Sequence, residues 1–479
     1  MYINIYYIIM VYLEKAKIYK DVIHNSIYTT RLANAIIDSN IFQRLRNLHQ
    51  LGLCYMVFPN ANNTRFEHSL GTYHLAGCLI NSLIFNSEIK EINKSLVEID
   101  FIKNYLLKKF NLENNEIFLE LLINNKECLL DTYIIELIKI AGLCHDIGHG
   151  PFSHMFDDWL YSIPELNDNK LIHHENRSII LLELIIKKGE IIHNEIKYKI
   201  SDYINFEAYK FISTLINPSC YSNVNKKNFI YQIISNSLND LDVDKLDYLC
   251  RDSYYLGTGE PFNVNRIIEH AKVIDNNIVF PEKISYEIFK VYRSRYDMHK
   301  QFYNNKTVVC IEYMLRSILN KLDKILKITE NIKLLNIDHF INLTDSVIMN
   351  TSFIIEQIKP INYNDIKDDV EYINSVITSI NQRKLFKCLY NVSFSVKDKI
   401  NTKSIIKKFL IENKELNKKN IISVIVKIGL IGGEKTHPFD NLYFYDKNNK
   451  SRVLSKNEIS HLMSPFFQEK LLFIIEMTK

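Results

Sequence analysis

The stretch Leu143-Cys-His145-Asp146-Ile-Gly148-His149-Gly150-Pro151-Phe-Ser-His154 sets three histidines and an aspartate within ten residues, interleaved with two glycines. Such a density of imidazole and carboxylate is costly where only packing is served. Both groups are ligands that intermediate divalent metals accept. The adjacent pair His145-Asp146 converges on one ion when two further ligands arrive from other helices. Gly148 and Gly150 let a backbone or a phosphate approach closely. Taken alone, His145-Asp146 is explained equally well by a capped helix end with satisfied histidines.

Flanking segments tip that balance. Arg65-Phe-Glu67-His68-Ser-Leu-Gly71 offers a histidine on an apolar helical stretch, one turn from an arginine. By itself His68 reads as a core or surface histidine. Asp240 to Asp252 crowds five carboxylates into thirteen residues, with Lys245, Tyr248 and Arg251 among them. A solvated acidic face is the simple explanation, yet Leu241, Val243, Leu246 and Leu249 require half of this segment to be buried. Buried carboxylates need a metal or a cation.

Around these motifs the apolar spacing is helical. Leu32, Ala33, Ile36, Ile37, Phe42, Leu45 and Leu48 recur every three to four residues, as do Ile134, Leu137 and Ile140. Helices are expected to continue through 175–200, 206–216, 227–238, 284–328 and 367–390. Residues 88–130 read as a helical surface insertion. From residue 391 the pattern turns to β-branched and aromatic runs: 392–396, 421–428 and 442–445. The expectation is therefore a mainly α protein, with a helical core over 1–390 and a small α/β lobe over 391–479.

Composition narrows the class. The chain has 479 residues, 47% of them apolar and 24% charged, with 12 Gly and 9 Pro, which excludes collagen-like and Pro-rich linker proteins. Net charge is +4 without a basic tail, so nucleic-acid binding as the main activity is unsupported. Eight scattered cysteines without a C-x-x-C pair read as free thiols of a reducing compartment, cytoplasmic or nuclear. The apolar run Met1 to Leu13 is too short for a membrane span and is expected to be a buried strand.

The order His68, His145-Asp146, Asp244 resembles the H…HD…D pattern of the HD-domain phosphohydrolases. More narrowly, Phe42-Gln-Arg-Leu-Arg46, Gln50-Leu-Gly, Val57-Phe-Pro, Arg65 to Gly71, Leu143 to Phe156, Asp242 to Asp252 and Pro438-Phe-Asp440 resemble the dNTP triphosphohydrolases of sterile-alpha-motif-plus-HD architecture. The likeness covers most of residues 17–479. With few residues before Lys17 and 23 after Lys456, the catalytic core alone is expected.

The resemblance implies that His68, His145, Asp146 and Asp244 hold a divalent metal (Zn, Fe, Mn or Mg), with Mg accompanying the nucleotide. It implies attack of water on the α-phosphorus of a dNTP, releasing deoxynucleoside and triphosphate. His149, His154 and the pair His174-Glu175 are the implied catalytic groups, Glu175 orienting the imidazole. Arg65, Lys245 and Arg295, with His299 nearby, are implied at the triphosphate. Tyr248, Asp252 and Tyr303 would line the pocket, and Gln50 and Leu51 would face the sugar.

The resemblance further implies activation by GTP and dNTP bound between subunits of a homo-oligomer, dimer to tetramer. Asp38, Gln43 and Arg46 match the guanine-reading set, and Lys17-Ile18 matches the phosphate-binding start. Arg266, Lys283, Arg383, Lys387 and Lys456 match activator-phosphate cations. Lys20, Pro281 and Asn304-Asn305 depart from the family pattern and bear on activator and base choice. Two other classes fit less well. One is a different HD phosphohydrolase or phosphodiesterase, which would need fewer cations than Arg65, Lys245 and Arg295 supply. The other is a non-catalytic single-stranded nucleic-acid binder, which would not need the metal set.

Overall fold

Helices dominate the computed structural model, which describes residues 11–477 apart from 222–223, 360–362, 397–400, 433–435, 462 and 464–465. The mainly α class expected from the sequence holds. The longest helix, Arg65–Asn86, buries His68, Gly71, Thr72, Leu75 and Leu79. It packs against helices Thr132–Cys144 and Val243–Tyr255. Each of these partners has an aspartate at its start. Asp131 accepts from Ile134 N, and Asp242 accepts from Lys245 N, which satisfies amides a helix leaves unpaired. The first partner ends at Cys144, so His145-Asp146 sits where its chain leaves the helix, and the second carries Asp244 in its first turn.

Among the described residues, four small sheets accompany the helices. Strands β1 (Lys15–Asp21) and β2 (Asn25–Thr30) form an antiparallel hairpin, as do β3 (Glu190–His193) and β4 (Ile196–Lys199). Strands β5 (Lys272–Ile274), β6 (Asn277–Pro281), β9 (Tyr443–Tyr445) and β10 (Ser451–Val453) make a sheet in the order β10-β9-β6-β5, with β6 and β9 parallel. The last ninety residues thus share a sheet with residues 272–281. Strand β11 (Gln468–Glu476) runs antiparallel between β7 (Lys387–Ser395) and β8 (Ile421–Gly429). Leu471, Phe473 and Ile475 of β11 close over Val309 and Cys310 of helix Lys306–Leu326, burying that sheet's inner face.

Several expectations change. Residues 1–10 of the opening run lie outside the described residues, and 11–13 are helical rather than extended, with Val11 and Tyr12 buried. The helix expected over 175–200 ends at Lys188, and β3 and β4 follow. Asn194 and Glu195 both adopt positive φ, 48° and 66°, the pair a tight hairpin turn requires. Residues 227–238 hold only a short 3-10 turn. Asn228 and Asn236 side chains take the amides of Ile230 and Leu238, competing with helix formation. The 284–328 run breaks at 299–305, where Asn305 caps the next helix. Residues 88–130 are helical but not merely a surface insertion, because Ile92, Leu96, Ile102 and Leu106 join the main core.

Candidate active site and metal centre

His68 is fully buried, and its two ring nitrogens have different surroundings. Nδ1 lies 2.8 Å from Asp247 Oδ2, and facing a carboxylate it must donate. Nε2 faces two further carboxylates, 3.0 Å from Asp244 Oδ1 and 3.6 Å from Asp146 Oδ2. His145 repeats the arrangement. Its Nδ1 donates to the Gly142 carbonyl at 2.7 Å, and its Nε2 lies 3.4 Å from Asp146 Oδ1 and 3.3 Å from Asp244 Oδ1.

Neither Nε2 has a hydrogen-bond partner. Two imidazole Nε2 atoms and the Asp146 carboxylate therefore converge, with Asp244 Oδ1 within 3.3 Å of both rings, a donor set that fits a divalent cation. Electrostatics agree. Burial alone would lower the His68 pKa, yet Asp244 and Asp247 raise it to about 10. Burial alone would raise that of Asp146, yet His145 and Arg65 hold it well below the carboxylate range. Positive charge is drawn to this spot. The partners on the far nitrogens, a carboxylate and a carbonyl, are those that orient metal-binding imidazoles.

Beside the centre stand three more histidines. His149 stacks on His174 with ring centroids 3.7 Å apart, and His154 meets His149 edge-on at 5.1 Å. His174 opens helix His174–Lys188 and directs Nε2 to within 4.0 Å of Asp146 Oδ1. Its Nδ1 donates to Asp157 Oδ2 at 2.7 Å. Asp157, not Glu175, therefore orients the ring. Glu175 lies on the Nε2 side, 3.7 Å away, because it is the next residue in the helix and points along it. Burial would lower the His174 pKa, but Asp157 and then Glu175 raise it. Burial and Arg65 drive His149 well below the ordinary range. The two stacked imidazoles are thus pushed in opposite directions, His174 up and His149 down.

The other expected pocket residues form a chain. Gln50 N donates to Asn63 O at 2.9 Å, Asn63 Nδ2 to Asp252 Oδ1 at 2.8 Å, and Tyr303 Oη to Asp252 Oδ2 at 2.7 Å. Burial pushes the Asp252 carboxyl up to about 6. His299 lies 4.9 Å from the Tyr303 ring, and Tyr248 lies 6.5 Å from His68. Leu51 packs with Cys54, Ala61 and Val308. Arg65 is buried, pairs with Asp146, and donates to Ser153 Oγ at 2.9 Å. Lys245 Nζ bonds the Asp240 carbonyl, and Arg295 bonds the Gly429 carbonyl at the end of β8.

The three residues matched to guanine reading lie beside Lys17 and Ile18 of the matched phosphate-binding start. Lys17 pairs with Asp38 at 2.7 Å, Gln43 donates to Ile37 O at 2.8 Å, and Arg46 donates to Gln43 Oε1 at 2.9 Å. Ile18 beside them is 63% exposed. The remaining cations occupy other elements. Arg266 and Lys283 flank His270, and Arg383 bonds the Met56 carbonyl at 2.9 Å. Lys387 opens β7, and Lys456 opens helix Lys456–Ile459.

Sequence reasoning missed Asp157 and the individual role of Asp247. For Asp247 a signal existed, since it follows Asp244 by three residues and so shares its helix face. Asp345 was also missed. It accepts from Phe152 N at 2.7 Å and from His49 N at 2.9 Å, tying the loop before His154 to the segment before Gln50. Phe152 and Ser153 in that loop adopt positive φ of 56° and 59°. Gly148 and Gly150 serve packing rather than phosphate approach. A Cβ on Gly148 would lie 2.2 Å from the His174 carbonyl, and one on Gly150 would enter the Phe156 ring.

No protein-family model matches the chain. Individual proteins do. It is 38% identical over 443 residues to the HD domain-containing protein L394 of Acanthamoeba polyphaga mimivirus, covering 91% of this chain and 86% of that protein. It is 32% identical over 470 residues to the deoxynucleoside triphosphate triphosphohydrolase SAMHD1 homolog of Dictyostelium discoideum, covering 97% and 78%. Against human SAMHD1 the values are 29% over 502 residues, 97% and 71%. With these matches covering 91% and 97% of its length, the chain belongs to the HD-domain family that includes the SAMHD1 deoxynucleoside triphosphate triphosphohydrolases.

Proposed function

We propose that this chain hydrolyses deoxynucleoside triphosphates to deoxynucleoside and inorganic triphosphate. The observation that carries the reading is the convergence of His68 Nε2, His145 Nε2, Asp146 and Asp244 beside the stacked His149–His174 pair. Those four residues would hold a divalent metal, and Mg would accompany the nucleotide. A metal held there polarises an α-phosphate oxygen and orients the attacking water.

Water forms the new bond to the α-phosphorus while the bond to the 5′ oxygen breaks, and that oxygen must gain a proton. His174 is placed to give it, because Asp157 keeps Nδ1 occupied and leaves Nε2 facing the centre. His149 supports the His174 ring face, and His154 with Glu175 completes the polar wall. Arg65, Lys245 and Arg295 would offset the triphosphate charge, with His299 near them. Gln50, Leu51, Tyr248, Asp252 and Tyr303 would enclose the sugar. An apolar and aromatic wall of Leu51 and the two tyrosines against the sugar would reject a 2′-hydroxyl sterically.

Regulation belongs to the same proposal. GTP would bind at Lys17, Ile18, Asp38, Gln43 and Arg46 between subunits. Arg266, Lys283, Arg383, Lys387 and Lys456 would contact activator phosphates from neighbouring copies. Helix Asp345–Ile358 presents exposed Phe353, Ile354 and Ile358, which supports a homo-oligomer. Among the described residues no helix is long and apolar enough to cross a membrane, and all eight cysteines are free. A cytoplasmic or nuclear setting suits those thiols.

A mixed dNTP panel, with and without GTP, tests the reading by product analysis. Deoxynucleoside and intact triphosphate are expected. Pyrophosphate or orthophosphate as the first product would move the chain to another HD phosphohydrolase class.

A further inference from the structure

We propose that His24 is a positioning residue for the metal centre, acting through Asp247 on His68; the inference rests on the metal-centre reading above. His24 lies in the tight turn between β1 and β2, far from either partner in sequence. Its Nε2 stands 2.6 Å from Asp247 Oδ1, and its side chain is 6% exposed. The turn is clamped to helix Val243–Tyr255 a second time. Asp21 Oδ1 accepts from Ile23 N and His24 N, both at 2.8 Å, while its Oδ2 accepts from Arg251 Nη1 at 2.8 Å.

Asp247 accepts from four donors. Arg251 supplies two, at 2.9 Å each, from one turn along the same helix. That grip moves with the helix. Among the described residues, only His24 and His68 reach Asp247 from other elements, one on each oxygen. His24 therefore sets where Oδ2 stands relative to the Arg65–Asn86 helix, and so the direction in which His68 Nε2 points. No slack exists on the opposite side, since a Cβ on Gly71 would fall 1.8 Å from Asp247 Oδ1. Strand β1 also carries Lys17 and Ile18, so one hairpin joins the proposed activator patch to the metal centre.

The test is a chelator-competition titration of the full chain with Mn²⁺ and with Zn²⁺. His24→Ala should weaken binding of the ion the wild type holds by about tenfold, within the range seen for partners of metal-ligating histidines. His24→Gln, whose amide Nε2 can donate to Asp247, should recover most of that loss. A merely structural role predicts lower thermal stability in both variants with no difference in metal affinity between them, and that result would overturn the proposal. So would wild-type affinity in His24→Ala. If His24→Ala does not fold, the unmodified protein still decides. Coupling is reciprocal, so metal should slow hydrogen exchange at the Ile23 and His24 amides. Metal binding without that protection would refute the role of His24 alone. A wild type that binds neither ion would overturn the metal-centre reading and this inference with it.

Discussion

His68 and Lys17 both sit beside aspartates, in opposite surroundings. His68 has no exposed surface and three carboxylates around it, each held by further partners. Lys17 has one, Asp38, and both members of that pair remain about half exposed. The buried group is organised before any ligand arrives, whereas the exposed pair is screened by water and worth at most about 1 kcal/mol. The difference separates side chains organised inside the fold from a surface patch that stays hydrated.

The largest expected effect comes from breaking the buried side. His145→Ala or Asp146→Ala should remove bound metal, measured by elemental analysis. Turnover should fall by roughly 10³-fold or more, the rate equivalent of several kcal/mol of charge stabilisation. Wild-type turnover in either would mean that the convergence is structural.

Next is His174→Ala. It lies outside the four-residue donor set, so metal content should stay intact while the rate falls roughly 10²–10⁴-fold, as for a lost general acid. Unchanged rates would transfer the proton to His154 or His149.

A third prediction contrasts two histidines six residues apart on one helix. His74 is partly buried, and burial followed by His24 pushes it down to about 4 against the opposing pull of Asp21 and Asp247. In the unfolded chain it titrates near 6.5. The unfolded state therefore binds more protons between those values, and stability falls as pH drops from about 6.5 towards 4. Thermal melts at pH 7 and pH 5 should show a smaller acid loss for His74→Asn than for the wild type. An equal loss would show that His74 is not a source of the acid sensitivity.

The smallest effect is expected on the exposed side. Asp38→Ala should change stability by no more than about 1 kcal/mol and leave basal turnover unchanged. It should also abolish any rise in activity or oligomer size on adding GTP, read by sedimentation alongside rate. A large basal loss would mean that the patch is not separable from the centre.

Legibility followed the same divide. His145, Asp146, His149 and His154 could be read because they lie within ten residues, whereas Asp244 was singled out among the five carboxylates of its segment only by the family resemblance. Asp157 could not be read, since its partner His174 is seventeen residues on, across a turn, and nothing in the spacing announces that contact. Helix periodicity failed at 190–199 and 227–238, where asparagines redirect the backbone through their own side chains or positive φ. Strand β11 escaped notice because both its faces are largely covered, so Leu471 to Ile475 reads as an unbroken apolar run.

That strand has a consequence for synthesis. β11 is the middle strand of its sheet, flanked by β7 and β8, yet it is the last of the three in sequence. A ribosome delivers both outer strands first. Some 40 residues then separate β8 from β11, a wait of roughly two to eight seconds at 5–20 residues per second. Throughout that interval the two outer strands lack the partner that joins them, and their free edges invite pairing with another nascent chain. Messenger-level changes that slow elongation after residue 429 should therefore raise the aggregated fraction without altering a single residue.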